Sequence, residues 1–283
     1  MVNEIKVILD GLIFPECPRW HDGRLWFSDM LDHKVIAVAP DGTAETVALV
    51  PGQPGGLGWL PDGRLLVVSM TDKRLLRLDA GGLQEAADLT PLATGNCNDM
   101  VVDAQGRAYI GDWGFVNSPP KGKATTAHLI MVTPDENARI VASNVLFPNG
   151  AVIAPDNKSL IVAESFASRL AVFDIKDDGS LANYAVWANL GETVVPDGIC
   201  LDAEGAIWVT NSGGNDVIRV KRGGEVVGRL TVASRAYACM LGGPDRRSLY
   251  LTTAAPGMFA DLKSKRSGRI EVVQVDVPGD GLP

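Results

Sequence analysis

The sequence predicts an all-β fold, a six-bladed β-propeller in which the N-terminal strand closes the last blade. Three observations predict it. Short Val/Ile/Leu/Trp runs alternate with turn residues along a 283-residue chain that holds 31 Gly and 17 Pro, the pattern of strands joined by tight turns. A strand–turn–strand unit recurs six times, as PRWHDGRLWFSD at 18–29, LGWLPDGRLLVVS at 57–69, MVVDAQGRAYIGD at 100–112, AVIAPDNKSLIVAE at 151–164, ICLDAEGAIWVTN at 199–211 and MLGGPDRRSLYLTT at 240–253. The run EIKVIL at 4–9 has no hairpin partner of its own, whereas RIEVVQVDV at 269–277 ends the sixth unit.

Each observation has a physical reading. The turn markers Gly23, Gly63, Gly106, Asn157, Gly205 and Arg246 recur every 40–51 residues, the length of one three- or four-stranded propeller blade. Five and seven blades are the neighbouring counts, because the fourth unit is long and divergent. Pairing the lone first strand with the last blade seals the ring and hides sheet edges that would otherwise invite association. A solenoid would show more uniform repeats and capping ends. No linker-like stretch divides the chain, so residues 1–283 are expected to form a single domain.

Composition narrows the partners. The chain is 46% hydrophobic and 21% charged, with a formal net charge of −8. That acidity disfavours nucleic acid or an anionic membrane as the main partner, and no apolar run approaches the ~20 residues of a membrane span. The start, MVNEIKVILDGL, carries charges where a signal peptide needs an apolar core, so a cytoplasmic protein is expected. Four scattered cysteines without CxxC spacing suggest neither a zinc knuckle nor a disulfide framework. The oligomeric state leaves no mark in the sequence.

The candidate site follows from ring symmetry. The first strand of each blade lines the channel, and its starting end opens on one face. Counting back eight residues from each turn marker, or seven in the shorter first turn, gives Glu16, Gly55, Asn98, Asn149, Asp197 and Ala238. Four of these carry a side-chain oxygen aimed at one axis. Two carboxylates at close range call for a compensating cation, and a mixed carboxylate and amide set suits Ca²⁺, Mg²⁺ or Mn²⁺. Plain turn chemistry is the competing reading, because Pro148-Asn149-Gly150 and Pro196-Asp197-Gly198 are favourable turn sequences; it gives no reason for Glu16.

At these residues the chain resembles the senescence-marker-protein-30/gluconolactonase family, which includes the Drp35-type lactonases. The resemblance rests on PECPRWHDGRLWFSDM, NCNDMVVDAQGRAYIGD, FPNGAVIAPDNKSLIVAES and PDGICLDAEGAIWVTN, in that order, and extends from about Ile13 to the tail VDVPGDGLP. It implies a six-bladed propeller that hydrolyses lactones with one divalent metal ion. Glu16, Asn149 and Asp197 would be its ligands. Ca²⁺ is the first expectation, with Zn²⁺, Mn²⁺, Mg²⁺ and Fe²⁺ as alternatives. Asn98 would be a further ligand or a substrate contact.

Two departures bear on the substrate. Sugar-lactonase members commonly carry Arg two residues before the motif Asn; here that residue is Asn96. An acidic residue found in some members after the second strand of this blade is replaced by WGFVNS. Trp113, Phe115 and Val116 therefore suggest a less polar pocket, for which aryl or alkyl lactones and esters are as suitable as sugar lactones. Asn96, Asn98, Trp113 and Phe115 are the candidate substrate contacts, and 113–128 is expected to loop over the site mouth. Asp197 is the candidate general base, with metal-bound hydroxide as the alternative. Cys17, Cys97 and Cys200 read as small core residues, and His21, His33 and His128 lack the spacing of a zinc site or triad. Absence of GxSxG argues against a serine esterase. The alternatives to a metal-dependent lactone or ester hydrolase are a non-catalytic metal-binding propeller for a metabolite or protein, and an isomerase or lyase acting beside a carbonyl.

Overall fold

The computed structural model describes residues 4–116, 125–257 and 259–282. Its strands form six four-stranded antiparallel sheets. In the first blade the order from the channel outward is Pro15–His21, Arg24–Asp29, Lys34–Val38 and Ala44–Leu49. The inner strands of the next five are Pro54–Trp59, Cys97–Val102, Pro148–Ile153, Pro196–Leu201 and Arg235–Gly242. The first of these six touches both the second and the last, so the ring is closed.

Burial sorts the strands by depth. Every residue of Cys97–Val102 is buried, whereas the outermost strand of the same blade, Ala138–Val145, is mostly exposed or half-buried. Continuous apolar runs near the axis and broken ones at the rim are what each environment demands. The sixth blade takes its outermost strand from the other end of the chain. Lys6–Leu12 pairs antiparallel with Gly268–Gln274, Lys6 facing Val272 and Leu12 facing Gly268, as the lone EIKVIL run predicts. A single α-helix among the described residues, Phe259–Lys265, lies between the second and third strands of that blade, and no helix is long and apolar enough to cross a membrane.

The two faces of the ring differ. On the hairpin-turn face the C-terminal tail runs across three blades: Ala203 donates to the Pro278 carbonyl, Asp280 to Leu201, and Ile153 and Leu282 exchange backbone bonds. On the opposite face the inner strands begin, and each carries a β-bulge there. In the second to fifth blades two residues oppose one partner, between Pro54 and Leu57, Cys97 and Met100, Pro148 and Ala151, and Pro196 and Ile199. A bulge turns a side chain off the pleat without breaking the strand. Small residues at its second position let neighbouring blades close up: a Cβ on Gly150 would lie 2.6 Å from the Ile199 nitrogen, and one on Gly198 2.3 Å from the Ala238 Cβ.

The third blade departs from that rule, with Asp99 where Gly150 and Gly198 stand in theirs. Its buried carboxylate accepts a hydrogen bond from Arg19 at 2.6 Å. The Arg19 guanidinium also donates to the carbonyls of Leu57 at 3.1 Å, Pro18 at 2.8 Å and Met100 at 2.5 Å, so one buried side chain from the first blade ties down the second and third. Removing one partner of such a pair strands the other charge in a medium that cannot solvate it. Arg19→Met is expected to lower unfolding free energy by about 3–5 kcal/mol, and adding Asp99→Asn to restore much of the loss. Denaturant titrations in which the single and double variants are equally destabilised would contradict this.

Candidate functional site

The bulged ends of the inner strands converge on a cavity of about 310 Å³. Glu16, Asn98, Asn149 and Asp197 all line it, so the structure brings together the four oxygen-bearing residues found by counting. In the sixth blade the bulge falls between Ala236 and Ala238, one step nearer the mouth, and Tyr237 rather than Ala238 faces the cavity. Ala238 packs instead against Gly198.

What holds these residues is a set of buried side chains at the ends of the second strands. Asp29 accepts the backbone N–H groups of Ile13 and Phe14 at 3.0 and 2.8 Å, just before Glu16. Asp112 accepts from Thr94, Gly114 and His128. Glu164 accepts from Leu146 at 2.9 Å, and Asn211 from Val195 at 2.9 Å. Each clamp fixes the segment leading into a site strand, and each satisfies backbone donors that would be orphaned in the interior. Ser165 links two site residues: its hydroxyl donates to the Pro196 carbonyl at 2.6 Å and accepts from Asn149 Nδ2 at 3.3 Å.

The electrostatics of the floor are costly. Glu16 and Asp197 are each only 8% exposed. Burial, and then the charge of Asp197, drive the Glu16 carboxyl well above its ordinary range, despite a hydrogen bond from the Cys17 N–H. Burial likewise raises Asp197, to about 7, with Asp99 adding to it and hydrogen bonds from Ser212 and Asn149 opposing it. Arg19, the buried cation beneath, is engaged by Asp99 and three carbonyls. The floor thus has two carboxyl groups that resist ionising together.

A divalent ion fits this donor set. Two carboxylates supply charge, and Asn98 directs its Nδ2 to the Pro148 carbonyl at 3.0 Å, which leaves its amide oxygen for the site. Hard oxygen donors of this kind suit a hard cation. Among the described residues no group of three His, Cys, Asp or Glu side chains could hold a metal ion, since half of these donors are amides.

The walls are aromatic. Trp113 and Phe147 line the cavity with Phe166, Phe147 and Phe166 stacking at 4.7 Å between centroids. Phe147 adopts a left-handed backbone, φ 58°, a conformation costly for a bulky residue and kept where surrounding structure enforces it; Ser165 donates to its carbonyl and Glu164 anchors Leu146 before it. Phe115 stands behind this wall, stacked on Phe147 and Phe166 at 5.6 and 6.1 Å, and does not itself line the cavity. Nor does Asn96, whose backbone and side chain bind the Phe115 and Val116 carbonyls. It holds the 113–116 segment. Of the expected mouth loop, 117–124 lies outside the described residues.

With that geometry established, the chain can be placed among known proteins. The SMP-30/Gluconolactonase/LRE-like region matches residues 14–255. The chain belongs to this family. A 6-deoxy-6-sulfogluconolactonase of Pseudomonas putida is 26% identical, over 98% of this chain and 96% of that protein. A regucalcin of Xenopus laevis is 25% identical, over 89% and 86%. Among solved structures, a luciferin-regenerating enzyme superposes with a TM-score of 0.83 at 20% identity, over 99% of this chain and 98% of the other, which shows the shared propeller.

The raised carboxyls carry a stability signature with a definite sign. A group that binds its proton more tightly folded than unfolded stabilises the fold below its unfolded pKa and loses that contribution as pH rises through the folded value. For Asp197 the window runs from about 4 to about 7. In chelator-treated protein, unfolding free energy is expected to fall across that window, and Asp197→Asn to flatten the fall. Parallel pH profiles for the two proteins, measured by denaturant titration, would refute the buried pair.

Proposed function

We propose that this protein is a divalent-metal-dependent hydrolase that opens a lactone, or a related ester, inside the propeller mouth. The observation that carries the reading is the pair of buried carboxyl groups, Glu16 and Asp197, with two amides at the floor of an otherwise largely apolar cavity. A curated relative named as a sulfogluconolactonase, aligned over nearly the whole chain, supports lactones as the substrate class.

Glu16, Asn149 and Asp197 would hold the ion, and Ca²⁺ is the species this oxygen set favours. When bound, the ion supplies Lewis-acid polarisation of the carbonyl and acidifies water. The remaining work belongs to the chain. Asn98, its nitrogen held by the Pro148 carbonyl, orients the carbonyl end of the substrate. Asp197 takes a proton from the attacking water, whose oxygen bonds to the carbonyl carbon. The ring C–O bond then breaks and the proton passes to the departing alkoxide, leaving a hydroxy acid. Burial raises the proton affinity of Asp197, which counters the lowering that a bound cation brings and keeps it competent near neutral pH.

The walls set what is accepted. Trp113, Phe147, Phe166, Phe14 and Met30 surround the floor, so the substrate ring meets aromatic and aliphatic carbon rather than hydrogen-bonding groups. This favours aryl and alkyl lactones over polyhydroxylated ones.

The decisive assay is turnover of a lactone panel after chelation and again after reconstitution with Ca²⁺, Mg²⁺, Mn²⁺ or Zn²⁺. Chelation is expected to abolish ring opening, and one ion to restore it and raise the melting temperature. Asp197→Asn is expected to keep the fold while lowering kcat by roughly 10²–10⁴. Full hydrolysis by chelated protein would exclude the metal-dependent mechanism, and a metal-dependent melting temperature without turnover would favour a binding propeller.

A further inference from the structure

Arg235 begins the inner strand of the sixth blade and lines the same cavity, across the ring from Asn96 of the third. It is half-buried and forms no ion pair among the described residues. Its guanidinium bonds the Tyr237 phenol, another residue of the wall. Among the described residues no ion pair joins it to Glu16 or Asp197, the two carboxyl groups of the cavity.

A guanidinium without a carboxylate partner has a use. Phe14, packed edge-on against Tyr237 at 4.6 Å, and Leu262 give this part of the cavity a hydrocarbon lining, where an ionic hydrogen bond is stronger than in water. The planar fork of Arg matches a carboxylate or sulfonate in two-point contact. The cavity has room for roughly ten heavy atoms at about 30 Å³ each, enough for a five-membered lactone and one acidic substituent. An acid group drawn to Arg235 leaves the lactone carbonyl to meet the floor formed by Glu16, Asn98 and Asp197.

We infer that Arg235 is a specificity-determining residue that binds an oxyanion substituent of the substrate, so that the preferred substrate is a small lactone bearing an ionised acid group on an otherwise apolar ring. The inference rests on the lactone-hydrolase reading for the identity of the ring, but the anion subsite is testable without it.

The experiment has two parts. In the first, γ-carboxy-γ-butyrolactone, its γ-sulfomethyl analogue and γ-valerolactone, which has a methyl group in that place, are compared as substrates. Either anion is expected to be preferred over the methyl compound by roughly 10–100-fold in kcat/KM, the worth of one charge-assisted hydrogen bond; the carboxylate and sulfonate arms distinguish the two acids. Arg235→Gln is expected to collapse that ratio, and Arg235→Lys to retain part of it. In the second part, calorimetry compares benzoate with benzamide, neither of which is hydrolysed as a lactone. The native protein is expected to favour benzoate, and Arg235→Gln to lose the preference while still binding benzamide, which shows that the variant is folded. Ring opening without an anion preference overturns the Arg235 assignment and leaves the hydrolase reading intact. A benzoate preference that depends on Arg235, with no lactone opened, upholds the anion subsite and overturns the hydrolase reading. Benzoate binding unchanged by Arg235→Gln places the anion elsewhere and sinks the inference.

Discussion

Two carboxyl groups of like sign, Glu16 and Asp197, are buried at one end of a narrow channel, and the surrounding structure is organised by what that costs. An ionised pair in such a place is unstable unless something positive joins it. Buried Arg19 is engaged with Asp99 and three backbone carbonyls, so its charge only partly offsets the floor. Bulges at the channel end of the inner strands turn the site residues inward, and buried Asp29, Asp112, Glu164 and Asn211 pin the segments that lead to them. The arrangement holds side chains of like charge at close quarters, which is the condition for binding a cation tightly.

The walls answer a different requirement. An acidic floor by itself would attract any cation-bearing solute, and the aromatic side of the cavity restricts entry to molecules with a carbon face. Phe147 is held in an unfavourable backbone conformation and Phe166 is stacked on it, so this part of the wall is built from the connection between the third and fourth blades and a short connection within the fourth. Arg235 stands on the other side of the cavity. Acid floor, carbon wall and lone guanidinium together define three points, enough to fix the orientation of a small molecule that carries a carbonyl, an apolar ring and an anion.

The propeller and its central quartet were legible because both follow from repetition. A repeat spaced every 40–51 residues gives the blade, and a fixed offset from each hairpin turn gives the ring position, since strands of equal length place equivalent residues at equal depth. The lone EIKVIL run was equally plain, an edge strand in search of an edge. Other parts had no local signal. Arg19 and Asp99 are adjacent only after three blades close, and nothing in PRW or NDM marks an ion pair. Ser165, Phe147 and Phe166 lie on connections whose course depends on the clamps of Glu164. The displaced bulge that brings Tyr237 rather than Ala238 to the cavity changes one register, a shift that alternating hydrophobicity does not encode. Asn96 looked like a substrate contact because of where its motif stands, and the structure turns it to hold Phe115 and Val116.

Proton release on metal binding tests the central relation most directly. If Glu16 and Asp197 share a proton in the cation-free protein, an ion entering between them must expel it. Calorimetric titration of Ca²⁺ near pH 6, repeated in buffers of different ionisation enthalpy, should show protons leaving as the ion binds, and fewer leaving in Asp197→Asn. Binding with no buffer dependence, or no binding of any divalent ion, would mean that the two carboxyl groups are not joined through a common cation.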